Sequence, residues 1–286
     1  MNYLIIFAAM NRSMYLSDSD VANIRYRVLL FGCGTQSIGL LLKCINGDWP
    51  IPDLVIFSDT MAEPEDVYIW LSRMENLCDK ENIPFAIVSA GNLTHAIINS
   101  IATGTRAPSL PYFTSGKGMI RRQCTLEYKI TPMNKYIKEF FNISRKNTVQ
   151  KKSIELWFGI SVDEMERMKV SRDWWAVNRY PLVEMEMNRQ DTIDYTISCG
   201  YHAPPRSSCY YCPFHSTAFW RYMKDNTPGD FEKAIAFDKV IRYNQRFKEQ
   251  LFLHRSCLAL DQIDLRTSRE MGQLDIFEEC DGYCGI

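Results

Sequence analysis

The sequence predicts an α/β protein built on a parallel sheet of the Rossmann-like kind. In the first hundred residues, short apolar and β-branched runs alternate with stretches of helical length. A glycine-rich turn follows the first such run, and polar residues follow the second. Strand–helix alternation implies parallel strands with right-handed crossovers, and such sheets bind ligands at the carboxyl ends of their strands. We therefore expect the functional residues at that edge.

The first strand–helix pair is predicted at residues 27–31 and 37–45, joined by the glycine loop, residues 32–37. Two glycines let the backbone approach an anion, and the amides and dipole of the following helix would hold it. The loop thus indicates a phosphate or sulfate site, with a tight turn lacking any ligand as the alternative. The predicted binding residues are Gly32, Cys33, Gly34, Thr35, Gln36 and Ser37.

Two more strand–helix pairs are predicted at residues 54–58 with 64–80 and 85–88 with 93–101. Asp59 and Thr60 end the second strand, and Ser89 ends the third. Because parallel strands share one carboxyl edge, we expect these residues to lie on the same edge as the glycine loop.

The middle of the chain contributes a second group of candidate residues. Residues 103–118 are predicted to form a long loop, followed by Arg121, Arg122, Cys124 and Lys129 and a helix at residues 132–141. Three cations near one cysteine would lower the pKa of its thiol or bind an anion; a solvated helix start is the alternative.

A polar, basic stretch, residues 142–152, precedes a strand at 154–160. This strand delivers Asp163, Glu164 and Arg167, which would contact a ribose or phosphate or would cap the next helix. A further helix is predicted at 188–199, and two amphipathic helices separated by Pro228 and Gly229 are predicted within 217–250.

The pair Cys209 and Cys212, in a Cys-x-x-Cys-Pro segment, is the strongest local sign of chemistry. This spacing lets two thiolates face one metal ion, and a redox pair is the competing interpretation. Further ligands would come from elsewhere in the chain. The candidates are Cys124, His215, Cys280 and Cys284.

Composition limits the class of protein. The 286 residues carry a formal net charge of -1, which argues against an obligate nucleic-acid coat protein but permits a local basic groove. Ten cysteines without a disulfide-like framework, together with the lack of a signal peptide or a long apolar run, favour a cytoplasmic protein that does not enter membranes.

Taken together, four segments resemble the phosphoadenylyl-sulfate (PAPS) reductase group of the adenine nucleotide α-hydrolase superfamily, which includes the PP-loop ATP pyrophosphatases. The resemblance covers roughly residues 27–286. The glycine loop resembles the family's phosphate loop, and the segment from Asp59 resembles its Asp-Thr motif. The other matches are Gly159 through Arg167, and Gly200 through Pro213.

The resemblance implies three regions: a lead-in at residues 1–26, a nucleotide-binding α/β domain at 27–215, and a helical extension with a cysteine tail at 216–286. It also implies a 4Fe–4S cluster on Cys124, Cys209 and Cys212, with zinc as the alternative. Gln36 replaces an aspartate that the family associates with magnesium and triphosphate. The nucleotide is therefore either ATP, with magnesium, or an adenylyl sulfate.

Two enzymatic functions and one non-enzymatic function follow from the resemblance. ATP-dependent sulfur insertion into tRNA or DNA is favoured, with a sulfur donor protein as partner. The alternative is release of sulfite from an adenylyl sulfate or PAPS, with Cys280 as the nucleophile, Cys284 as a second tail thiol and a thiol reductant protein as partner. Arg122 is the predicted anion-binding catalytic residue. The third is a nucleotide-binding zinc protein without catalysis.

Overall fold

The computed structural model describes residues 23–107, 109–146, 151–266 and 270. These residues belong to two compact units, each assembled from several stretches of chain. Unit 1 comprises Met1–Ser58, Asp66–Val88 and Met133–Ser207, and unit 2 comprises Asp59–Glu65, Ser89–Pro132 and Ser208–Ile286.

The strands are β1 (Tyr26–Leu30), β2 (Leu54–Asp59), β3 (Phe85–Ser89), β4 (Phe113–Thr114), β5 (Ile154–Phe158), β6 (Ala176–Arg179) and β7 (Leu251–Phe252). The α-helices are α1 (Thr35–Ile45), α2 (Glu65–Lys80), α3 (Leu93–Thr103), α4 (Thr131–Phe140), α5 (Pro181–Glu184), α6 (Arg189–Ser198), α7 (Thr217–Asn226) and α8 (Pro228–Ile241). A π-helix spans Thr125–Ile130, and short 3₁₀ helices span Val162–Arg167 and Leu260–Gln262.

Unit 1 is organised around a five-stranded parallel sheet in the order β3-β2-β1-β5-β6. The chain moves outward from β1 through β2 to β3, and then returns to the other side of β1 with β5. This reversal leaves a crevice beyond the carboxyl ends of β1 and β5, which is where ligands bind in doubly wound sheets. The predicted α/β class and parallel sheet are confirmed.

The core of unit 1 forms because the central strands are buried on both faces. Leu29, Val55 and Trp157 are fully buried, which explains why these strands read as continuous apolar runs. Helix α1 packs on α6 so closely that a side chain on Gly39 would meet Thr192 at 2.2 Å. Glycine is favoured there because an added Cβ would overlap the Thr192 Cγ2 methyl group, and the Thr192 carbonyl oxygen lies only 3.3 Å from the same point.

Unit 2 buries its own apolar core around α3, α7, α8 and the β4–β7 ribbon. In that core the Tyr211 and Phe237 rings stack at 4.1 Å, and Trp220 is fully buried. The ribbon pairs Phe113 with Phe252 in antiparallel register. Among the residues that the structure describes, no helix has the length and apolar character needed to cross a lipid bilayer.

The predicted elements agree with the structure apart from their ends and the omission of several short elements. The pair of helices expected in 217–250 is present, although the second ends at Ile241 and Pro228 opens it instead of separating the two. The predicted loop at 103–118 contains the short strand β4. The sequence analysis also did not predict strands β6 and β7, helix α5, the π-helix or the two short 3₁₀ helices.

Candidate functional site

The glycine loop lies at the carboxyl end of β1, beside the turn that follows β5. A methyl group on Gly159 would lie 2.9 Å from the Ser37 amide nitrogen and 3.2 Å from the Gln36 carbonyl carbon. Such approaches are shorter than ordinary carbon contacts, so only glycine permits the two turns to lie this close. Two loops that are distant in sequence therefore meet at the sheet's topological switch point.

Within the loop, Cys33 adopts φ of 55°, a conformation that favours glycine. Its side chain is fully buried, and its thiol donates to the Val67 carbonyl at 3.4 Å. Cys33 is thus held in the core, and only its backbone can contact a ligand. The Ser37 hydroxyl lies 3.2 Å from both the amide and the carbonyl of Gly34 and fixes the start of α1.

Ser207 lies against the same loop. Its hydroxyl donates to the Gly32 carbonyl, and a Cβ on Gly34 would lie 2.8 Å from the Ser207 Cβ. Thr35 and Ser37 are buried, whereas Gly32 and Gln36 are half-buried. Solvent therefore reaches the loop through Gly32 and Gln36.

Charged side chains gather at this crevice. The Gln36 amide donates to Glu164 Oε2 at 3.1 Å, and Arg167 Nη1 lies 2.6 Å from the same oxygen. Arg189 lies on the other flank, where its guanidinium donates to Thr35 Oγ1 at 3.4 Å and its amide to Asp163 at 3.1 Å. Both guanidinium groups are half-buried, which strengthens their attraction for an anion.

Chemically, this crevice can hold the phosphate or sulfate end of a ligand. The first-turn amides of α1 have no acceptor within the helix, and the helix dipole adds positive potential at the same point. Sequence reasoning identified the loop and the segment 163–167. It missed Arg189 and Ser207, because their contacts join positions 154 and 175 residues apart.

The cysteine turn, residues 207–215, belongs to unit 2 from Ser208 onward. Cys209 and Cys212 are buried, and the Cys212 amide donates to the Cys209 carbonyl at 2.9 Å. His215 Nε2 lies 2.9 Å from the same carbonyl. A carbonyl only accepts, so this nitrogen carries a proton and braces the turn.

Within unit 2, a buried chain of polar contacts begins at Cys209. The thiol of Cys209 lies 3.5 Å from Thr60 Oγ1, and that hydroxyl donates to Glu63 Oε1 at 3.4 Å. Lys129 pairs with the same carboxylate at 3.2 Å, while Glu63 Oε2 has no hydrogen-bond partner. The Glu63 side chain is fully buried, so Lys129 balances an internal charge rather than standing free at a basic edge.

Cys124 and Arg122, the other predicted unit 2 site residues, lie at the start of the π-helix. Cys124 is half-buried against the core that contains Cys209. Burial raises the pKa of the Tyr112 phenol, and the neighbouring Cys124 raises it further. The guanidinium of Arg122 stacks over the Phe214 ring at 5.6 Å, close to the cysteine turn.

The three predicted cluster ligands thus belong to one unit, and their sulfur chemistry suits iron or zinc. Their placement does not gather them into a ligand set: no group of three His, Cys, Asp or Glu side chains in the described ranges could hold a metal ion. The cluster stays a prediction.

Of the remaining predicted site residues, one is described by the structure and two are not. Asp59 accepts the Met61 amide at 2.7 Å and forms a local turn in unit 2. Cys280 and Cys284 lie outside the described residues.

No protein-family model matches the chain, and no curated protein matches it significantly.

Proposed function

We propose that the chain is an adenine-nucleotide-dependent enzyme of the PAPS reductase-like kind, with the nucleotide phosphates held by the glycine loop of unit 1. One observation carries this proposal. The loop and the segment after β5 meet at the switch point of the parallel sheet, and Gly159 keeps them in backbone contact. Phosphate groups bind at such a strand–turn–helix junction through helix amides.

The charges around the loop support a polyanionic ligand. Arg167 and Arg189 lie beside it and are half-buried. Arg189 would donate charge-assisted hydrogen bonds to a phosphate or sulfate group, and Arg167 would do so on exchanging its pairing with Glu164 for the ligand. Gln36 brings an amide instead of a carboxylate, which removes one negative charge from the loop. A magnesium ion accompanying ATP would then be coordinated mainly by the phosphates and water.

The favoured reaction is ATP-dependent sulfur insertion into a nucleic acid. An acceptor oxygen attacks the α-phosphorus of ATP and pyrophosphate leaves; sulfide then displaces the adenylated oxygen, which leaves with AMP. Here the protein binds the triphosphate and orients it for attack. The resemblance to thiolating relatives supports this reaction, because the sequence offers three cysteines rather than four at the family's cluster positions. Among the described residues, the structure does not gather these cysteines into a ligand set.

The alternative is reduction of an adenylyl sulfate, in which a cysteine thiolate attacks sulfur and AMP leaves. A thiol of the reductant protein then attacks the cysteine sulfur, so that a disulfide forms and sulfite leaves. The Gln36 replacement favours this alternative, because a sulfonucleotide needs no triphosphate-bound magnesium. Its proposed nucleophile, Cys280, lies outside the described residues. A catalytically inert zinc protein that binds nucleotide is the third proposal.

Titration calorimetry with ATP, AMP, adenylyl sulfate and PAPS tests the binding step. We expect one of the four to bind, and Arg167→Gln to weaken its binding about tenfold, a loss of about 1.4 kcal/mol. Arg172→Gln is the matched control, since Arg172 is an exposed arginine of the same unit. Failure of folded wild-type protein to bind any of the four would refute the proposal.

The ligand preference then separates the reactions. ATP preference, with AMP and thionucleosides detected by mass spectrometry after incubation with sulfide and RNA or DNA, supports thiolation. Sulfonucleotide preference with sulfite release supports reduction. Nucleotide binding together with stoichiometric zinc and neither product supports the inert zinc protein.

A further inference from the structure

Unit 1 carries a basic and aromatic surface that the nucleotide site does not use. Residues 135–152 contain six basic residues and one acidic residue, a net charge of +5 in a chain whose net charge is -1. A positive excess this concentrated is a common electrostatic footprint of nucleic-acid binding.

Aromatic rings at this surface form a stacked ladder. Tyr136 and Phe140 lie one turn apart on α4 and stack with centroids 5.8 Å apart. Phe140 meets Phe141 edge to face at 4.9 Å, and Phe141 stacks on Tyr26 at 4.4 Å. Phe140 is 47% exposed and Tyr26 is 37% exposed, which is unusual for rings of this size.

The cations lie beside this ladder. Arg145 and Lys146 follow shortly after Phe141 and are exposed. The carboxyl-terminal end of the segment, next to Ser153, lies beside Tyr26. The amides of Arg25 and Tyr26 donate to the Ser153 carbonyl at 2.8 and 3.2 Å. Exposed Lys151 and Arg25 therefore belong to the same neighbourhood as the Tyr26 ring.

Not every cation of the segment is available. Lys152 donates to the carbonyls of Asp173 and Ala176 at 3.1 and 3.0 Å, so its role is internal. Lys138 stands in the last turn of α4, where it complements the helix dipole. The basic aromatic surface is therefore defined as Arg25, Tyr26, Lys135, Tyr136, Phe140, Phe141, Arg145, Lys146 and Lys151.

We propose that this basic aromatic surface binds single-stranded nucleic acid, with phosphates on the cations and bases against the exposed rings. Cationic tracks with aromatic stacking platforms are the recurring means of holding single strands. Anionic lipid is less suited, because an inserting surface needs a broad apolar face rather than rings already stacked on one another. This inference rests on the proposed function, because it assigns the surface that would hold the nucleic acid into which sulfur is inserted.

Fluorescence anisotropy with labelled oligomers of about 16 nucleotides tests the inference, as single-stranded DNA, single-stranded RNA and duplex. We expect salt-dependent binding of a single strand. Arg145→Glu/Lys146→Glu/Lys151→Glu should lower the slope of log affinity against log salt by about 2, or about 0.7 for each lost phosphate contact. The matched control is Lys80→Glu/Lys224→Glu/Lys248→Glu, which changes the same charge at other exposed lysines.

The aromatic contribution has its own variant and control. Phe140→Ala should weaken single-strand binding by about fivefold or more and duplex binding much less, because only unpaired bases can stack. Tyr243→Ala removes a ring that is 75% exposed in unit 2 and should change nothing. Both substituted positions are exposed, so circular dichroism should show unchanged folding.

Three outcomes would overturn the inference. The protein could bind no oligomer at low salt, or the control variants could lose as much oligomer affinity as the surface variants. The protein could also bind anionic vesicles but not oligomers. A parallel ATP titration separates the two proposals. If the protein binds an adenine nucleotide but no oligomer, only the proposal that the basic aromatic surface binds nucleic acid is refuted. Protein that binds oligomers through this surface but no adenine nucleotide refutes only the proposed function.

Discussion

Replacing Gly159 by alanine tests whether backbone contact with the glycine loop sets up the nucleotide site. The new methyl group would lie 2.9 Å from the Ser37 nitrogen, 3.1 Å from the Ser37 Cα and 3.2 Å from the Gln36 carbonyl carbon. All three neighbours are backbone atoms, so no side chain can rotate away. The first turn of α1 must shift instead, and overpacking of this kind costs about 1–3 kcal/mol.

The shift should also displace the amides that would hold the phosphates. We expect Gly159→Ala to lower the free energy of unfolding by about 1–3 kcal/mol and to weaken nucleotide binding about tenfold. Urea denaturation and titration calorimetry measure the two quantities. Gly229→Ala is the control: nothing lies within 4 Å of its added Cβ, and its place in α8 favours alanine. A Gly159→Ala protein with wild-type stability and affinity would refute the reasoning.

Three further predictions concern stability and thiol reactivity. Arg179→Met should cost about 3–5 kcal/mol in urea denaturation, because it leaves the buried Glu155 carboxylate, 3.1 Å from Arg179, without its cation; a loss below 1 kcal/mol would contradict this. Asp238→Ala should cost about 3 kcal/mol by the same measurement, since the carboxylate accepts two backbone amides at 3.0 and 3.1 Å; wild-type stability would show that those amides find other partners. Burial raises the pKa of the Cys44 and Cys78 thiols to about 12, so mass spectrometry should find both unalkylated at pH 8 in folded protein and alkylated in urea; rapid native labelling would contradict the burial.

Local patterns carried most of the fold information in this chain. The runs that became β1, β2 and β5 are apolar because most of their residues are buried, and β3, at the edge of the sheet with only Ala86 buried, is apolar as well. Length and apolar content therefore located all four strands within a residue or two. The glycine loop was also recognisable from local sequence, because its turn residues and the apolar runs on either side are adjacent in the chain. Strand β6 was missed because it is short, with only Ala176 and Val177 fully buried.

The arrangement of the candidate site depended on contacts between distant positions. From sequence alone, the side chain of Cys33 could face a ligand or the core. In the structure it points into the core, where its thiol donates to the Val67 carbonyl. A basic edge at Lys129 was a reasonable expectation until Glu63, 66 positions away, proved to be its buried partner. Side-chain direction and charge pairing of this kind follow from tertiary packing, which local sequence does not encode.

The α/β class, the parallel sheet and the position of the loop that opens α1 follow from local sequence patterns, because burial on both faces of a strand imposes a continuous apolar run. Three features follow from tertiary packing instead: Gly159 touches the loop, Arg189 lies beside Thr35, and the rings from Tyr136 to Tyr26 form one ladder. Each of these three features depends on a contact between segments that are far apart in the chain. Such contacts are selected by the strand order and by close packing, and residues far apart in sequence carry no local trace of them.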